Sequence, residues 1–357
     1  MRVLQLIDSL EVGGAERMAV NYANALLNKI EVSALCTTRA EGDLKKLVQP
    51  EIPYLFLNKK HTLDLSAFLR LRRFVKNYNI QIIQAHGSSY FTAVLVKIIT
   101  PALKVVWHDH YGNSEYLMER NTTFLKPLSR YFDAVISVND ILSRWSNEYL
   151  NIEKHIFLKN FIADALPLNQ DFNPKGIKGK RLVCVANLRP QKNHTLLLKA
   201  FEEVLKKDDE YTLHLFGSKI DQVYSQMILS NLKAPHFNGK VFYYGTHLKL
   251  SAVLPYFDIG VLASHSEGLP LALLEYGQAG LAVVATDVGD CAKVLDGCGQ
   301  VIQPGNIDSL VAAILKYAEE PELRLKYATL LKERIDNEYS YQAQVNQLLY
   351  LYEHVIH

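Results

Sequence analysis

The chain has 357 residues, of which 49% are hydrophobic and 21% charged, and its formal net charge is +2. This length predicts two domains, and the near-neutral charge argues against a dedicated nucleic-acid-binding protein. The cysteines Cys36, Cys184, Cys291 and Cys298 form no C-x-x-C pair, so neither a disulfide framework nor a zinc site is indicated.

Short apolar runs alternate with amphipathic stretches along the first half of the chain. The runs RVLQLID, EVSALCT, IQIIQAH, KVVWHD and AVISVN predict strands, and the stretches GAERMAVNYANALLN, LSAFLRLRRFVKNY and TAVLVKII predict helices. Strands that are apolar throughout and alternate with helices indicate a parallel sheet covered on both faces.

The alternation stops at residues 164–181, where DALPLNQDFNPKGIKGK has no periodicity and predicts a linker. It then resumes. The later strands are RLVCVANL, YTLHLFG, KVFYYG, IGVLAS and LAVVATD, and the later helices are HTLLLKAFEEVLKK, QVYSQMILSNL, LSAVLPYF, the segment from Pro270, IDSLVAAILKYAEE and PELRLKYATLLKERI. The tail YQAQVNQLLYLYEHVI predicts an amphipathic helix. The fold class is therefore α/β, with two doubly wound domains whose ligands are expected in the cleft between them.

Two loops of the first domain are candidate sites. Gly13 and Gly14, in DSLEVGGAER, lie between the first strand and the first helix, where glycine permits close approach of a ligand. In VVWHDHYG a strand ends on His108, Asp109 and His110, one of which should face the cleft. These residues offer at most two metal ligands on one face, so no metal site is predicted. His86 ends another strand, and we expect it to be structural.

Two loops of the second domain carry charge. Arg189 and Lys192 follow the strand RLVCVANL, and Pro190 keeps their loop out of a helix. Two cations beside a helix amino terminus favour a diphosphate. In HSEGLPLALLEYGQAG, Glu267 lies in a turn and Glu275 in a helix that is predicted to be buried.

The same stretch predicts a backbone site. Gly268 allows close approach, and Pro270 is expected to be the first residue of the helix. The N–H groups expected to meet sugar hydroxyls or phosphate oxygens are those of Leu269, Leu271 and Ala272.

The segments GGAER, HDH, RPQKNH and EGLPLALLE occur in this order, and together they resemble the retaining family 4 glycosyltransferases of GT-B fold, of the bacterial cell-surface polysaccharide type. The E-x7-E spacing with the upstream Arg/Lys pair is the most specific part of the resemblance. The segment after TDVG departs from the family pattern, because GDCAKVL places Asp290 and Lys293 where the family often has glycine and glutamate.

The resemblance implies a role for each matching residue. Arg189 and Lys192 would hold the donor diphosphate, Glu275 the ribose hydroxyls and Glu267 the transferred sugar. His110, the better match of the two strand-end histidines, would contact the donor sugar or the acceptor. The donor-binding residues would also include Gly13, Gly14, Gly217, Gly268, Leu269, Pro270 and Leu271.

The resemblance also implies domain limits and a reaction. Residues 1–165, completed by a helix at about 341–357, would form the acceptor domain, and residues 176–340 the nucleotide-sugar domain. The enzyme would move a hexose or N-acetylhexosamine from a nucleoside diphosphate sugar to a glycan or polyprenyl-linked glycan, as in lipopolysaccharide or capsule synthesis, without a cofactor or metal. The alternatives are a non-hydrolysing sugar-nucleotide epimerase and a catalytically silent scaffold of a glycan assembly complex.

The location of the protein is predicted from what the sequence lacks. MRVLQLIDSL becomes polar too early for a signal peptide, and no apolar run reaches the roughly 18 residues that a membrane span needs. We therefore expect a cytoplasmic protein. The basic face of LSAFLRLRRFVK, with Lys59 and Lys60, would suit the anionic inner face of the membrane, although a solvated helix face is the alternative.

Overall fold

The computed structural model describes residues 1–112, 114–150 and 152–356. The chain divides into two compact units, one formed by Met1–Ala163 with Tyr341–His357 and the other by Asp164–Ser340. Each unit contains one parallel sheet whose strands alternate with helices along the chain. The predicted α/β fold with two doubly wound domains is therefore confirmed.

The first unit has a seven-stranded sheet. Its strands are β1 (Arg2–Ser9), β2 (Val32–Ala40), β3 (Tyr54–Phe56), β4 (Ile82–His86), β5 (Lys104–Asp109), β6 (Ala134–Ser137) and β7 (His155–Phe157). Its helices up to this point are α1 (Gly14–Leu26), α2 (Leu65–Asn77), α3 (Tyr90–Ile98), α4 (Leu125–Leu128) and α5 (Asp140–Tyr149). The strands pair in parallel in the order β3-β2-β1-β4-β5-β6-β7.

The second unit has a six-stranded sheet. Its strands are β8 (Arg181–Val185), β9 (Thr212–Phe216), β10 (Val241–Gly245), β11 (Ile259–Leu262), β12 (Ala282–Thr286) and β13 (Gln300–Ile302). Its helices are α6 (His194–Lys207), α7 (Gln222–Asn231), α8 (Leu271–Gln278), α9 (Cys291–Leu295), α10 (Ile307–Glu319) and α11 (Pro321–Glu338). The strands pair in parallel in the order β10-β9-β8-β11-β12-β13.

Each sheet reverses its strand order once, between β1 and β4 in the first unit and between β8 and β11 in the second. The loops that leave neighbouring strands at such a point run to opposite faces of the sheet, and a crevice opens between them. The loops after β8 and β11 carry three of the predicted charged residues of the second unit, Arg189, Lys192 and Glu267, and the fourth, Glu275, lies in α8. In the first unit, Gly13 lies in the loop after β1, Gly14 begins α1 and His86 is the last residue of β4.

Two local predictions need correction. LSAVLPYF forms two short 3-10 turns, Leu250–Ala252 and Leu254–Tyr256, because Pro255 has no N–H to continue a helix. Pro270 has the extended ψ of 120°, so it caps α8 and is not its first residue. The three-residue strands β3, β7 and β13 are too short for sequence periodicity to reveal.

One lysine of the predicted basic face, Lys59, precedes α2 and is not at the surface. Lys59 is 8% exposed, and its Nζ donates to Oγ1 of Thr92 at 2.9 Å, so this lysine is a buried structural residue. Lys60, Arg73 and Lys76 are exposed as expected. Among the described residues, none of the helices has both the length and the apolar character that a membrane span requires.

The last helix, α12 (Tyr341–Ile356), belongs to the first unit although 177 residues of the second unit, Asp164–Ser340, precede it in the chain. Its buried residues are Gln344, Val345, Leu348, Leu351, Tyr352 and Val355. Oη of Tyr341 donates to the carbonyl oxygen of Ala25, at the end of α1, at 2.7 Å. An apolar stripe and a hydrogen bond at its first residue therefore fix α12 to this unit.

Replacing the fully buried Leu348 by alanine should lower the free energy of unfolding by about 2–5 kcal/mol, since a cavity remains in the core. Tyr350→Ala on the same helix is the matched control, because Tyr350 is 60% exposed, and it should change stability by less than about 0.5 kcal/mol. Urea denaturation of both variants measures the difference. Equal effects would mean that α12 is not packed as described.

Candidate active site

Two loops at the switch point of the second unit hold most of its predicted site residues. The loop after β8 carries Arg189 and Lys192, and the loop after β11 carries Glu267 and Gly268. Nζ of Lys192 lies 2.5 Å from Oε1 of Glu267, and Oγ of Ser264 donates to the same oxygen at 2.6 Å. Glu267 is 4% exposed, so the lysine and the hydroxyl compensate a carboxylate that burial would otherwise destabilise.

Further hydrogen bonds fix the two loops to each other. Nε2 of Gln191 donates to the carbonyl oxygen of Ser266 at 2.8 Å, and the N–H of His265 donates to the carbonyl oxygen of Gln191 at 2.8 Å. Asn193 has the left-handed conformation that asparagine tolerates, with φ of 48°, and its Oδ1 accepts from the N–H of Leu196. The first turn of α6 therefore follows the charged loop directly.

Arg189 differs from Lys192 in having an unused donor. It is partly buried, and its Nε is shielded from solvent without a hydrogen-bond partner among the described residues. A buried guanidinium N–H without an acceptor is costly, and an anionic oxygen is the acceptor that relieves this cost most effectively. Arg189 is thus prepared to receive an anion, whereas Lys192 already contacts Glu267.

The helix α8 presents its amino terminus and one acid. The first-turn N–H groups of Leu271 and Ala272 have no acceptor within the helix. Leu269, just before the helix, is 5% exposed. Glu275 is partly exposed, so the prediction that this carboxylate is buried is wrong. The reason is the helical period, which turns the next residue, Tyr276, towards the sheet instead.

Tyr276 and a third loop hold these elements in place. Oη of Tyr276 accepts from the N–H of Val185, in β8, at 2.6 Å, which ties α8 to the neighbouring strand. Gly289, between β12 and α9, has φ of 54°, and a Cβ there would lie 2.4 Å from the carbonyl oxygen of Glu267. The N–H of Asp290 donates to the carbonyl oxygen of Gly268 at 3.0 Å. Glycine is therefore required at residue 289, and GDCAKVL supports the Glu267 loop.

Gly217 follows β9 in the same unit. Its φ is 155°, and a Cβ there would lie 2.0 Å from the carbonyl oxygen of Ala186. Backbone packing alone therefore explains why this residue is glycine. Its place in a donor-binding set stays a prediction.

The glycine loop of the first unit has a different character. Gly13 caps α1 with an extended backbone, φ of −154°, which any residue can adopt. A Cβ on Gly13 would meet only the end of the flexible Glu16 side chain, and a Cβ on Gly14 would meet nothing within 4 Å. The backbone therefore requires neither glycine, and their assignment to a ligand site stays a prediction.

Three histidines come together at the carboxyl ends of β4 and β5. One nitrogen of each of His86, His108 and His110 lies within 4.8 Å of the others. His86 pairs with His108 across the strands, so this face carries a third imidazole besides the two that the sequence predicted. Nδ1 of His86 and Nε2 of His110 are 2.9 Å apart and share a hydrogen bond. The set is a potential metal site, although two of its nitrogens already bind each other.

Asp109 points away from this cluster, as the alternation of a strand requires. It is 1% exposed and forms two hydrogen bonds with Arg120, from Nη1 at 2.7 Å and from Nη2 at 2.8 Å. The Arg120 guanidinium also lies over the rings of Trp107, Tyr111 and Trp145. Asp109 is therefore a structural residue, and His108 and His110 share the other face.

His108 and His110 differ in access. His108 is fully buried, whereas His110 is the partly exposed member of the cluster. Burial lowers the pKa of His110 to about 3 and holds the pKa values of His86 and His108 well below their usual range. All three imidazoles are therefore neutral at pH 7, and His110 is the one that a ligand can reach.

Family models match most of the chain. The model described as Glycosyltransferase Family 4 matches residues 12–157, and the model described as Glycosyl transferases group 1 matches residues 169–334. The first range spans the glycine loop and the histidine cluster. The second spans the Arg189, Lys192 and Glu267 loops.

Curated relatives of the chain are glycosyltransferases. The O-antigen biosynthesis glycosyltransferase WbnH of Escherichia coli is 25% identical over 306 residues, which are 84% of this chain and 85% of that protein. The N,N'-diacetylbacillosaminyl-diphospho-undecaprenol alpha-1,3-N-acetylgalactosaminyltransferase of Campylobacter jejuni is 23% identical, over 78% of this chain and 71% of that protein.

Solved structures share the fold. HepE of Anabaena, crystallised in complex with UDP-glucose, superposes with a TM-score of 0.83 at 16% identity and covers 99% of both chains. The pneumococcal O-GlcNAc transferase GtfA, in complex with UDP and GlcNAc, gives a TM-score of 0.78 at 13% identity, over 100% of this chain and 99% of that one.

The buried histidines should make the protein acid-labile. An unfolded histidine binds a proton near pH 6.5, whereas folded His110 does so only near pH 3, so the unfolded state gains stability as the pH falls below 6.5. Lowering the pH from 7 to 5 should therefore reduce the free energy of unfolding by about 2 kcal/mol through His110 alone. Urea denaturation of wild type and His110→Gln at both pH values should show a smaller loss in the variant. The control is His61→Gln, which replaces an exposed histidine. If this control lost as little stability between pH 7 and pH 5 as His110→Gln, the low pKa of His110 would be contradicted.

Proposed function

This chain belongs to the family 4 glycosyltransferases of GT-B fold, and from that premise we propose that it is a retaining enzyme of bacterial surface-polysaccharide synthesis. It transfers a hexose or N-acetylhexosamine from a nucleoside diphosphate sugar to a glycan or polyprenyl-linked glycan. The names of WbnH and of the Campylobacter enzyme support the polysaccharide role and a lipid-linked acceptor, and the UDP-glucose complex of HepE supports the donor class.

The observation that carries the proposal is the charge arrangement of the second unit. Arg189 has a buried N–H without a partner, and Lys192 lies in the same short loop. As the bond between the sugar C1 and the phosphate oxygen breaks, negative charge grows on the diphosphate. Two fixed cations and the first turn of α8 would stabilise that charge, and no divalent ion is then needed.

The two acids take different roles in this proposal. Glu267 is held by Lys192 and Ser264, which suits a carboxylate that orients sugar hydroxyls better than one that attacks C1. Glu275, on the partly exposed side of α8, would accept hydrogen bonds from the ribose hydroxyls. The acceptor hydroxyl would attack from the face that the diphosphate leaves, and the leaving phosphate oxygen would take its proton.

Product stereochemistry tests the reaction. Purified enzyme, a panel of nucleoside diphosphate sugars and lipid-linked glycan acceptors should give, with one donor, a product whose anomeric configuration in proton NMR equals that of the donor. Each reaction is run with and without EDTA, and turnover should be the same in both because the proposal requires no metal. Inverted product, or turnover that EDTA abolishes, would contradict it.

Arg189→Ala should lower kcat by roughly 10²–10³-fold with little change in stability, because its Nε has no partner to lose. Lys192→Met should lower kcat similarly but also destabilise the protein, because it leaves buried Glu267 without its cation. The double variant Lys192→Met/Glu267→Gln should regain stability without regaining turnover. Steady-state kinetics and thermal unfolding measure both effects. The control is Lys199→Ala, an exposed residue of α6, and equal losses in this control would refute the roles.

We also propose that α2 rests on the anionic inner face of the cytoplasmic membrane, where a lipid-linked acceptor resides. Leu63, Leu65 and Leu69 are 67%, 74% and 56% exposed. Leu65 and Leu69 lie four residues apart, so they share one side of the helix. The exposed Arg73 continues that side one turn later. Apolar side chains next to cations are what an interfacial helix needs.

Vesicle sedimentation tests this surface. Wild-type protein should pellet with vesicles that contain phosphatidylglycerol, and binding should weaken in high salt because screening removes the attraction. Leu65→Ser/Leu69→Ser should bind several-fold less. Leu325→Ser changes a leucine that is 69% exposed in the second unit and should bind like wild type. Equal binding of all variants, or binding that does not depend on the lipid charge, would contradict the proposal.

A further inference from the structure

Polar side chains interrupt one face of the first sheet at its three central strands. Gln5 in β1 lies opposite Gln84 in β4, and His86 in β4 lies opposite His108 in β5. All four side chains are fully buried. Tyr352 of α12 contacts this face through its hydroxyl. Buried polar groups persist in a core when each finds a hydrogen-bond partner, so their partners carry information.

These groups form one directed chain of hydrogen bonds. Oη of Tyr352 donates to Oε1 of Gln84 and accepts from Nε2 of Gln5 at 3.3 Å. Since a hydroxyl has one proton, the two amides must turn opposite ends towards it. Gln5 therefore presents Oε1 to Nε2 of His86, at 2.8 Å. The N–H of His86 is thus on Nε2, and its Nδ1 is a bare acceptor for Nε2 of His110, at 2.9 Å.

We propose that Tyr352, Gln5 and His86 are positioning residues that set the tautomer of His110, placing its proton on Nε2 and leaving Nδ1 as a bare hydrogen-bond acceptor. The inference rests on the proposed function in one respect, that His110 touches a substrate. A bare nitrogen accepts a hydrogen from a sugar hydroxyl but repels a phosphate oxygen. The chain of contacts therefore selects hydroxyl groups as the partners of His110.

The buried surroundings keep every group in this chain of hydrogen bonds neutral. Burial depresses the pKa of each imidazole and raises the pKa of the Tyr352 hydroxyl, so neither end of the chain ionises near pH 7. On the other branch, Nδ1 of His108 accepts from Nε2 of Gln84 at 2.8 Å, and Nε2 of His108 is buried without a partner among the described residues. His108 is therefore the end of its branch.

A metal ion is the competing occupant of the cluster. It would need bare nitrogens from all three imidazoles. The pair formed by His86 and His110 leaves one proton between their nitrogens, and the amide of Gln84 directs the proton of His108 onto its free Nε2. The hydrogen-bonded arrangement therefore opposes metal binding as long as both amides keep their orientation.

Nitrogen-15 NMR of histidine-labelled protein reads the tautomers directly and requires no activity. His110→Gln assigns the signals. Wild type should show His110 protonated on Nε2 only. Gln5→Met, which keeps the volume but removes the acceptor for His86, and Tyr352→Phe, which frees both amides, should each give His110 a mixture of tautomers. The matched control is Tyr22→Phe. Its ring also packs on His86 and His108, but its hydroxyl has no partner among the described residues, so the variant should match wild type.

Kinetics then separate this inference from the proposed function. Gln5→Met and Tyr352→Phe should lower kcat/KM for the donor or the acceptor roughly tenfold, the cost of about one hydrogen bond, with Tyr22→Phe unchanged. Protonation of wild-type His110 on Nδ1 would overturn the inference, as would His110 signals that are the same in both variants as in wild type. So would one tightly held metal ion per chain that His108→Gln loses. If the tautomers shift as expected but the kinetics do not change, the chain of hydrogen bonds does set the tautomer of His110, and His110 does not contact a substrate.

Discussion

Both units place polar or charged side chains inside apolar parallel sheets or loops, where each group must find a partner or lose stability. In the second unit this constraint joins Lys192 to buried Glu267, and the joined residues belong to different loops. In the first unit it joins two glutamines, three histidines and one tyrosine from β1, β4, β5, the residue that follows β5, and α12. The arrangement of side chains in each candidate site therefore depends on giving every buried polar group a hydrogen-bond or charge partner, and not only on where the strands end.

Elements with a clear hydrophobic period could be predicted from the sequence. Long helices such as α6 and α10 alternate apolar and polar faces, and the continuous apolar strands indicated parallel sheets. The Arg189, Lys192 and Glu267 loops were also foreseen, because charged residues beside glycine and proline at strand ends are unusual. Short edge strands such as β7 were missed, since three residues carry no period.

Contacts between distant residues could not be foreseen in the same way. The pairing of Lys192 with Glu267 spans 75 residues and that of Gln84 with Tyr352 spans 268, and neither has a local signal. One signal was present for the polar face. In RVLQLID, Gln5 stands between Leu4 and Leu6, and in IQIIQAH, Gln84 stands between Ile83 and Ala85, so each glutamine interrupts an apolar run. A single glutamine in a buried parallel strand indicates that another buried polar group faces it.

The return of α12 to the first unit has a consequence for protein synthesis. Residues 164–340 form a contiguous unit that can fold as soon as it leaves the ribosome, whereas the first unit waits for its last helix. At roughly 5–20 residues per second, the 177 intervening residues impose a delay of roughly 10–35 s. During that time the surface that Tyr352 and Leu348 will cover is exposed to chaperones and proteases. A chain that lacks α12 would keep this surface uncovered, so proteases could degrade it before it binds a substrate.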